Sequence, residues 1–345
     1  MNINEIKKAI LYCFNNPSTL IPHVESSPGI GKSDIVKEIA IELAQQKNME
    51  FYEGPENFDE NKFGLIDMRL NQLDISDLTG LAIPSVDKKS VQFTASPYIP
   101  NTGQGVLFVD EIRQVSTQNQ SLASQLFLGR RIGTNRLGDG WHIVTAANRT
   151  TDRASAHRMP THIGNRLKAL ELDFHLDSFV DYMHSIGTPD VGIAFAKWKP
   201  DILQSFDANK EINCTPRSYI GAMSDLNAPP EIRFNLIRGC IGEGPAAELL
   251  GFDKVWKNMP SLEDIINYPK DTKVPEAADT QFALANMLGM NVTEEIFSPI
   301  MEYLKRLPDR EYQTVFVKTA LGKNSNLADT DVFSKYLEDN IDILV

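Results

Sequence analysis

The chain has 345 residues, 42% hydrophobic and 23% charged, a globular composition with length enough for two or three domains that each bury a core. Lys and Arg number 34 against 46 Asp and Glu, and the net charge of −12 argues against non-specific binding of nucleic acid by the whole surface. No apolar run is long enough to span a bilayer, Met1–Lys8 shows no signal-peptide apolar region, and Cys13, Cys214 and Cys240 have neither zinc spacing nor the density of a disulfide scaffold, so a reduced, cytoplasmic protein without membrane insertion is expected.

Helical spacing runs from Ile3 to Phe14, and a strand candidate follows at Ile21–Glu25. Next stands Glu25-Ser26-Ser27-Pro28-Gly29-Ile30-Gly31-Lys32-Ser33, which has the build of a phosphate-binding loop. Such a loop needs small residues so that consecutive backbone N–H groups can wrap a phosphate. It also needs a lysine that reaches the β- and γ-oxygens and a hydroxyl that holds Mg²⁺. Gly29 and Gly31 supply the tight backbone, Lys32 the charge and Ser33 the metal ligand, while Ser26, Ser27, Pro28 and Ile30 complete the nucleotide contacts. Ser26 stands where the pattern has its first glycine, and a small residue still fits there. Ser33–Leu43 then reads as an amphipathic helix with its N-terminus toward the phosphates.

Further strand candidates lie at Leu65–Leu70, Val106–Asp110, His142–Ala147 and Ala169–Phe174. The third of the five strands is four apolar residues, Val106 to Val109, ending in Asp110 and Glu111. A buried parallel strand looks like this, and its carboxyl end is where an open α/β sheet places its ligand. Asp110 is expected behind the Mg²⁺ that Ser33 also holds, and Glu111 beside the attacking water. Arg130, Arg131 and Arg136 form one short basic cluster, read as a solvated helix end and loop. The run Trp141–Asn148 ends in an amide that can hydrogen-bond both a γ-phosphate and the water. His157 and His162 have no metal-site spacing and are read as structural. Arg166 precedes the last strand candidate, and Arg217 follows Pro216 in a helical first turn. The macrodipole disfavours a cation there, so Arg217 is easier to explain facing a phosphate.

Alternation of strand and helix over about 170 residues implies a three-layer α/β core with a five-stranded parallel sheet. After Leu176 the pattern changes to helices broken by prolines. Tyr268–Pro275 reads as a linker, and helical spacing resumes at Gln281–Leu288 and Phe297–Leu307. The expected division is a nucleotide-binding core over 1–176, a helical lid over 177–270, and a linker with a C-terminal helical region over 271–345.

Taken together, Ser-Ser-Pro-Gly-Ile-Gly-Lys-Ser, Leu-Phe-Val-Asp-Glu-Ile, Ala-Ala-Asn-Arg, Asn-Arg-Leu and Thr-Pro-Arg-Ser resemble an AAA+ ATPase of the MoxR family, bacterial or phage type. Asp77-Leu78-Thr79-Gly80-Leu81 matches the motif that this branch carries in an insertion into its second core helix, and Arg238–Glu248 is similar to its lid region. The resemblance covers Ile21 to Arg217 well and is less diagnostic over the last seventy residues. It implies a P-loop AAA+ core, Mg²⁺ and ATP as cofactors, and a homo-hexameric ring. It also implies a chaperone-like remodelling function beside a protein with a von Willebrand factor A domain. In that mapping Asn148 is the first sensor, Arg166 the finger reaching into the neighbouring subunit, and Arg217 the second sensor. Arg149, Arg153 and Arg158 lie near the same interface. A nucleic-acid motor on the same core and a nucleotide-gated scaffold are the competing readings. Intact Glu111 and Asn148 argue against the scaffold, because a switch that only binds has no use for water-positioning groups.

Overall fold

The computed structural model describes residues 1–16, 20–87, 89–115, 117–149, 159–204, 206–207 and 210–339, without the side chains of 117, 118, 332 and 337–339. Arg153, His157 and Arg158 lie outside the described residues. The chain divides into two compact units, Met1–His175 with Phe206–Asn209, and Leu176–Ser205 with Lys210–Val345.

The first unit runs α1 (Ile3–Asn15), β1 (Ile21–Ser26), α2 (Lys32–Gln46), β2 (Phe51–Glu53), β3 (Phe63–Arg69), α3 (Ile75–Thr79), β4 (Ala82–Pro84), β5 (Val91–Phe93), β6 (Gln104–Asp110), α4 (Thr117–Gly129), β7 (Arg131–Ile132), β8 (Asn135–Arg136), β9 (Trp141–Asn148), α5 (Thr161–Gly164) and β10 (Leu167–Glu171). Six strands form one sheet in the order β10-β1-β9-β6-β3-β2, with every pairing parallel. The sheet thus has six strands where the sequence predicts five. The extra one, β2, is a three-residue edge strand, too short to show a period of its own. Because side chains alternate along a strand, the sheet has two apolar faces. Val24, Leu65, Phe108 and Val144 pack on α1 and α2, whereas Ile21, Ile66, Leu107 and Ile143 pack on α4 and α5. This is the three-layer α/β architecture that the strand–helix alternation predicts. The spacing of Ile35, Val36, Ile39, Ala40 and Leu43 explains α2, whose buried stripe repeats every three to four residues.

Between β3 and β6 the chain makes an excursion through α3 and the β4–β5 hairpin. Gly80 lies at the base of this excursion. Its φ is +84°, and a Cβ there would sit 1.9 Å from the Thr94 carbonyl oxygen, so only glycine lets the returning strand pass. Leu78 is fully buried in the core, while Leu81, Ile83, Val91 and Phe93 are exposed. Asn135, in the short β7–β8 hairpin, ties the two excursions together. Its Nδ2 donates to the Leu78 carbonyl (3.1 Å) and its Oδ1 accepts from the Ser96 amide (3.2 Å).

The second unit is helical: α6 (Leu176–Ser185), α7 (Asp190–Trp198), α8 (Pro216–Ser224), α9 (Pro230–Ile241), α10 (Glu243–Lys257), α11 (Leu262–Asn267), α12 (Ala278–Asn291), α13 (Glu294–Leu304), α14 (Glu311–Lys323) and α15 (Asp331–Asp339). Helix α12 packs against α7, α10 and α14, so the division expected at residue 270 falls inside this unit. The segment Tyr268–Pro275 is a pinned loop. Arg306 Nη1 donates to the Pro269 and Thr272 carbonyls (2.7 and 2.8 Å), and the Tyr303 hydroxyl donates to that of Lys273 (2.8 Å). Among the described residues no helix is long and apolar enough to cross a membrane.

Candidate functional site

Strand β1 lies between β10 and β9, and the chain leaves its carboxyl end into residues 27–31 before entering α2. An open parallel sheet offers a ligand crevice at such a point. Gly29 and Gly31 take φ values of +76° and +95°, which a residue with a side chain adopts reluctantly, so the loop turns tightly into the helix N-terminus. There the first backbone N–H groups of α2 have no intrahelical partner and favour an anion.

Lys32 Nζ donates to Asn148 Oδ1 (2.8 Å), to Ser26 Oγ (3.0 Å) and to the Ser27 carbonyl (3.4 Å). The strand register explains the first contact, since Ser26 is directly opposite Asn148. Ser33 Oγ donates to Asp110 Oδ2 at 3.5 Å. Asp110 closes β6 and is buried; burial pushes its carboxyl above the usual range, with the Glu111 amide, 2.8 Å from Oδ1, acting in opposition. Lys32, Ser33, Asp110 and Asn148 therefore converge at the carboxyl ends of three adjacent strands. Glu111 follows in a left-handed conformation (φ 56°), uncommon for a residue with a side chain.

Two groups near this acidic pair carry no sequence signal. Asn71 Nδ2 donates to Glu111 Oε2 at 2.7 Å, so an amide from the loop after β3 holds the second carboxylate. Asp67, half-buried on β3, accepts from Arg69 Nε and Nη2 (3.1 and 3.0 Å), and burial raises its carboxyl. Beneath the site, Glu25 accepts a hydrogen bond from Arg113 and lies 3.2 Å from His23 Nε2. Asn71 and Arg113 meet their partners 40 and 88 residues away, and Asp67 is one polar position within a predicted strand, so no local pattern singles any of them out.

The arginines are spread more widely. Arg149 pairs with Asp173 and donates to the Leu172 carbonyl (3.0 Å) at the β10 exit. Arg166 donates to Ser124 Oγ and to the His162 carbonyl (2.7 Å), and its own carbonyl accepts from the Ile21 amide (2.9 Å). It therefore stands at the N-terminal end of β1, the length of the strand away from Lys32. Arg217 is exposed in the second unit, one residue into α8, behind a capping box formed by Thr215 and Ser218. Of the basic cluster, Arg130 folds back to donate to the Gly138 and Trp141 carbonyls (2.8 and 2.7 Å), while Arg131 and Arg136 are exposed on the β7–β8 hairpin.

The donor set fits a divalent cation. Ser33 and Asp110 offer hard oxygen ligands side by side, and the buried carboxylate gains a partner when a cation binds. Among the described residues no group of three or more His, Cys, Asp and Glu could hold a metal ion.

No family model matches the chain, and no curated protein matches it. Several solved structures are similar. The Orc1 protein of Aeropyrum pernix in complex with DNA is 12% identical over 97% of this chain and 93% of its own, with a TM-score of 0.39. A RuvB variant from Thermotoga maritima is 18% identical over 90% and 94%, at 0.38. NtrX from Brucella abortus is 13% identical over 97% and 67%, at 0.33. Likeness at this level lends nothing to the functional reading, which the site residues carry.

Proposed function

We propose that this chain is a Mg²⁺- and ATP-dependent ATPase of MoxR type that forms a homo-hexameric ring and remodels a protein complex. The observation that carries the ATPase reading is the convergence of Lys32, Ser33, Asp110 and Asn148 around the phosphate loop, with Glu111 beside them. ATP phosphates lie along residues 26–33, with Lys32 on the β- and γ-oxygens. Ser33 and Asp110 would hold Mg²⁺, which would supply charge neutralisation on the transferring phosphoryl group. Glu111 polarises the attacking water, and Asn148 orients water and γ-phosphate without adding charge. Arg166 is assigned to the neighbouring subunit's nucleotide, because its position at the far end of β1 keeps it from its own. Arg217 is assigned the role of second sensor, on the motif resemblance alone. A von Willebrand factor A domain protein is the partner that the same resemblance suggests.

The client surface in this reading is the β4–β5 hairpin, whose Leu81, Ile83, Val91 and Phe93 are apolar and exposed. A nucleic-acid motor is the second reading. It is favoured by exposed Arg131 and Arg136 on the neighbouring hairpin and opposed by the net charge of −12.

Hydrolysis and nucleotide binding measured on two variants test the site. Lys32→Ala loses nucleotide binding, since it removes the charge that holds ground-state phosphates. Glu111→Gln keeps binding and stops turnover. A glutamine variant that hydrolyses ATP at the wild-type rate removes Glu111 from its assigned role.

A further inference from the structure

The aliphatic layer joining β1, β6 and β9 to α4 and α5 is interrupted on β1 and β9 by buried polar side chains. Along β1 the positions facing this layer are Ile21, His23 and Glu25, and only Ile21 joins the apolar cluster. His23 is 1% exposed; its Nδ1 lies 2.7 Å from Thr145 Oγ1, the residue opposite on β9, and its Nε2 lies 3.2 Å from Glu25 Oε1. Glu25 accepts from Arg113 Nη2, and both side chains are largely buried, at 20% and 13% exposure. Burial holds His23 below its usual range and hence neutral. Hydrogen bonding from His23 and then Arg113 draws the Glu25 carboxyl down to about 2, so Glu25 is the anion that faces the Arg113 guanidinium.

Apolar side chains of similar volume would fill this place without desolvating a charge, so packing alone does not account for it. The network touches three parts of the site. Glu25 is the last-but-one residue of β1 before the phosphate loop, and Thr145 stands three residues before Asn148 on β9. Arg113 lies in the turn Ile112–Gln114, which follows Glu111 directly. We propose that Arg113 is a positioning residue for hydrolysis. Its bridge to Glu25 fixes the turn after Glu111 against β1, and this sets where the Glu111 carboxylate points relative to the loop. The inference rests on the ATPase reading above.

The test compares Arg113→Met, Arg113→Lys and the double replacement Glu25→Leu with Arg113→Met. Kd for a fluorescent ATP analogue, kcat, KM and thermal unfolding are measured on each. Arg113→Met lowers kcat by roughly 10- to 100-fold, the scale on which misplacement of a reacting group acts. Its nucleotide Kd stays within about twofold of wild type, because the bridge does not touch the ground-state phosphates. Arg113→Lys recovers part of the rate, since an ammonium still pairs with Glu25. The double variant leaves no charge unpaired, so it regains thermal stability without regaining turnover. Should Arg113→Met fail to fold, the lysine and double variants carry the comparison. A double variant that turns over at the wild-type rate makes the bridge mere packing and overturns the inference. So does a folded Arg113→Met with wild-type kcat, and either result leaves the ATPase reading standing. Wild-type protein that does not hydrolyse ATP overturns both.

Discussion

Glu25 gives the folded chain a stability that depends on acid in a calculable way. Its carboxyl lies at about 2 in the fold against 4.5 as the ordinary value, held down by His23 and Arg113 hydrogen bonds against the opposing effect of burial. A depressed carboxylate contributes stability that is complete above its unfolded pKa and is lost as pH falls through the folded one. At 1.36 kcal/mol per unit, the separation of about 2.5 units is worth about 3 kcal/mol at pH 7. At pH 3.5 the unfolded chain is mostly protonated and the folded one mostly ionised, so about 2 kcal/mol remains. Glu25→Gln removes this contribution and adds a pH-independent cost for the unpaired Arg113 guanidinium. The carboxyl's own share of the difference between wild type and variant should therefore shrink by about 1 kcal/mol from pH 7 to pH 3.5; groups that do not face Glu25 cancel, and the share of His23, which Glu25 holds up, is subtracted from its own titration followed by NMR in both proteins.

Urea unfolding can read this through Trp141, which is buried in the first unit, once Trp198 and Trp256 of the second unit are replaced by Phe. Restricting the probe to one unit matters, because a chain with two units need not unfold in one step. A cost of Glu25→Gln that does not change with pH would mean that the carboxylate is not a buried anion, and the reasoning on Arg113 would lose its electrostatic basis.

Two further outcomes follow from the surface and from the sheet. Replacing Ile83 and Phe93 by Ser should leave basal hydrolysis and unfolding within about 0.5 kcal/mol of wild type, as exposed positions do, and abolish stimulation by a protein partner; loss of basal activity in the folded variant refutes the assignment. Arg166→Ala should reduce turnover by about three to five orders of magnitude with nucleotide affinity largely kept, and mixing it with Glu111→Gln should restore part of the rate; no recovery despite demonstrated subunit exchange rules out Arg166 as the finger.

The loop from β1 into α2 was legible because its constraints are local. Gly29 and Gly31 are required by a backbone path with positive φ, and Lys32 and Ser33 follow at the spacing that a phosphate loop needs. The acid pair was legible for a related reason, since four apolar residues ending in two carboxylates announce a buried strand with a polar end. Strand β2 escaped because three residues carry no period, and it owes its existence to pairing with β3. Asn71 escaped because its function depends on reaching across forty residues to Glu111, which no local pattern encodes. The same holds for Arg113, whose partner lies 88 residues earlier. Leu78 and Leu81 look alike in sequence, yet one is in the core and the other in solvent. The turn between them is set by the close approach of Thr94 to Gly80, a contact visible only once the hairpin is folded.

The period of two along β1 lets one strand do two separate jobs. Ser26 and Val24 point to the side where α2 packs, and on that side Asn148 and Asp110 also emerge from their strands, so the groups proposed for phosphate and metal gather there. His23 and Glu25 point to the opposite side, where they meet Thr145 and Arg113 beneath α4 and α5. A change on this second side cannot touch a phosphate directly. It reaches the chemistry only by shifting backbone: the exit of β1, the end of β9 or the turn after Glu111. In the proposed ATPase, ground-state phosphates would be held by several donors of the loop and tolerate such a shift, whereas the water would have to meet one carboxylate at one angle. The signature expected of the His23–Glu25–Arg113 side is therefore a loss in kcat at preserved affinity, and of the Ser26–Lys32 side a loss of affinity itself.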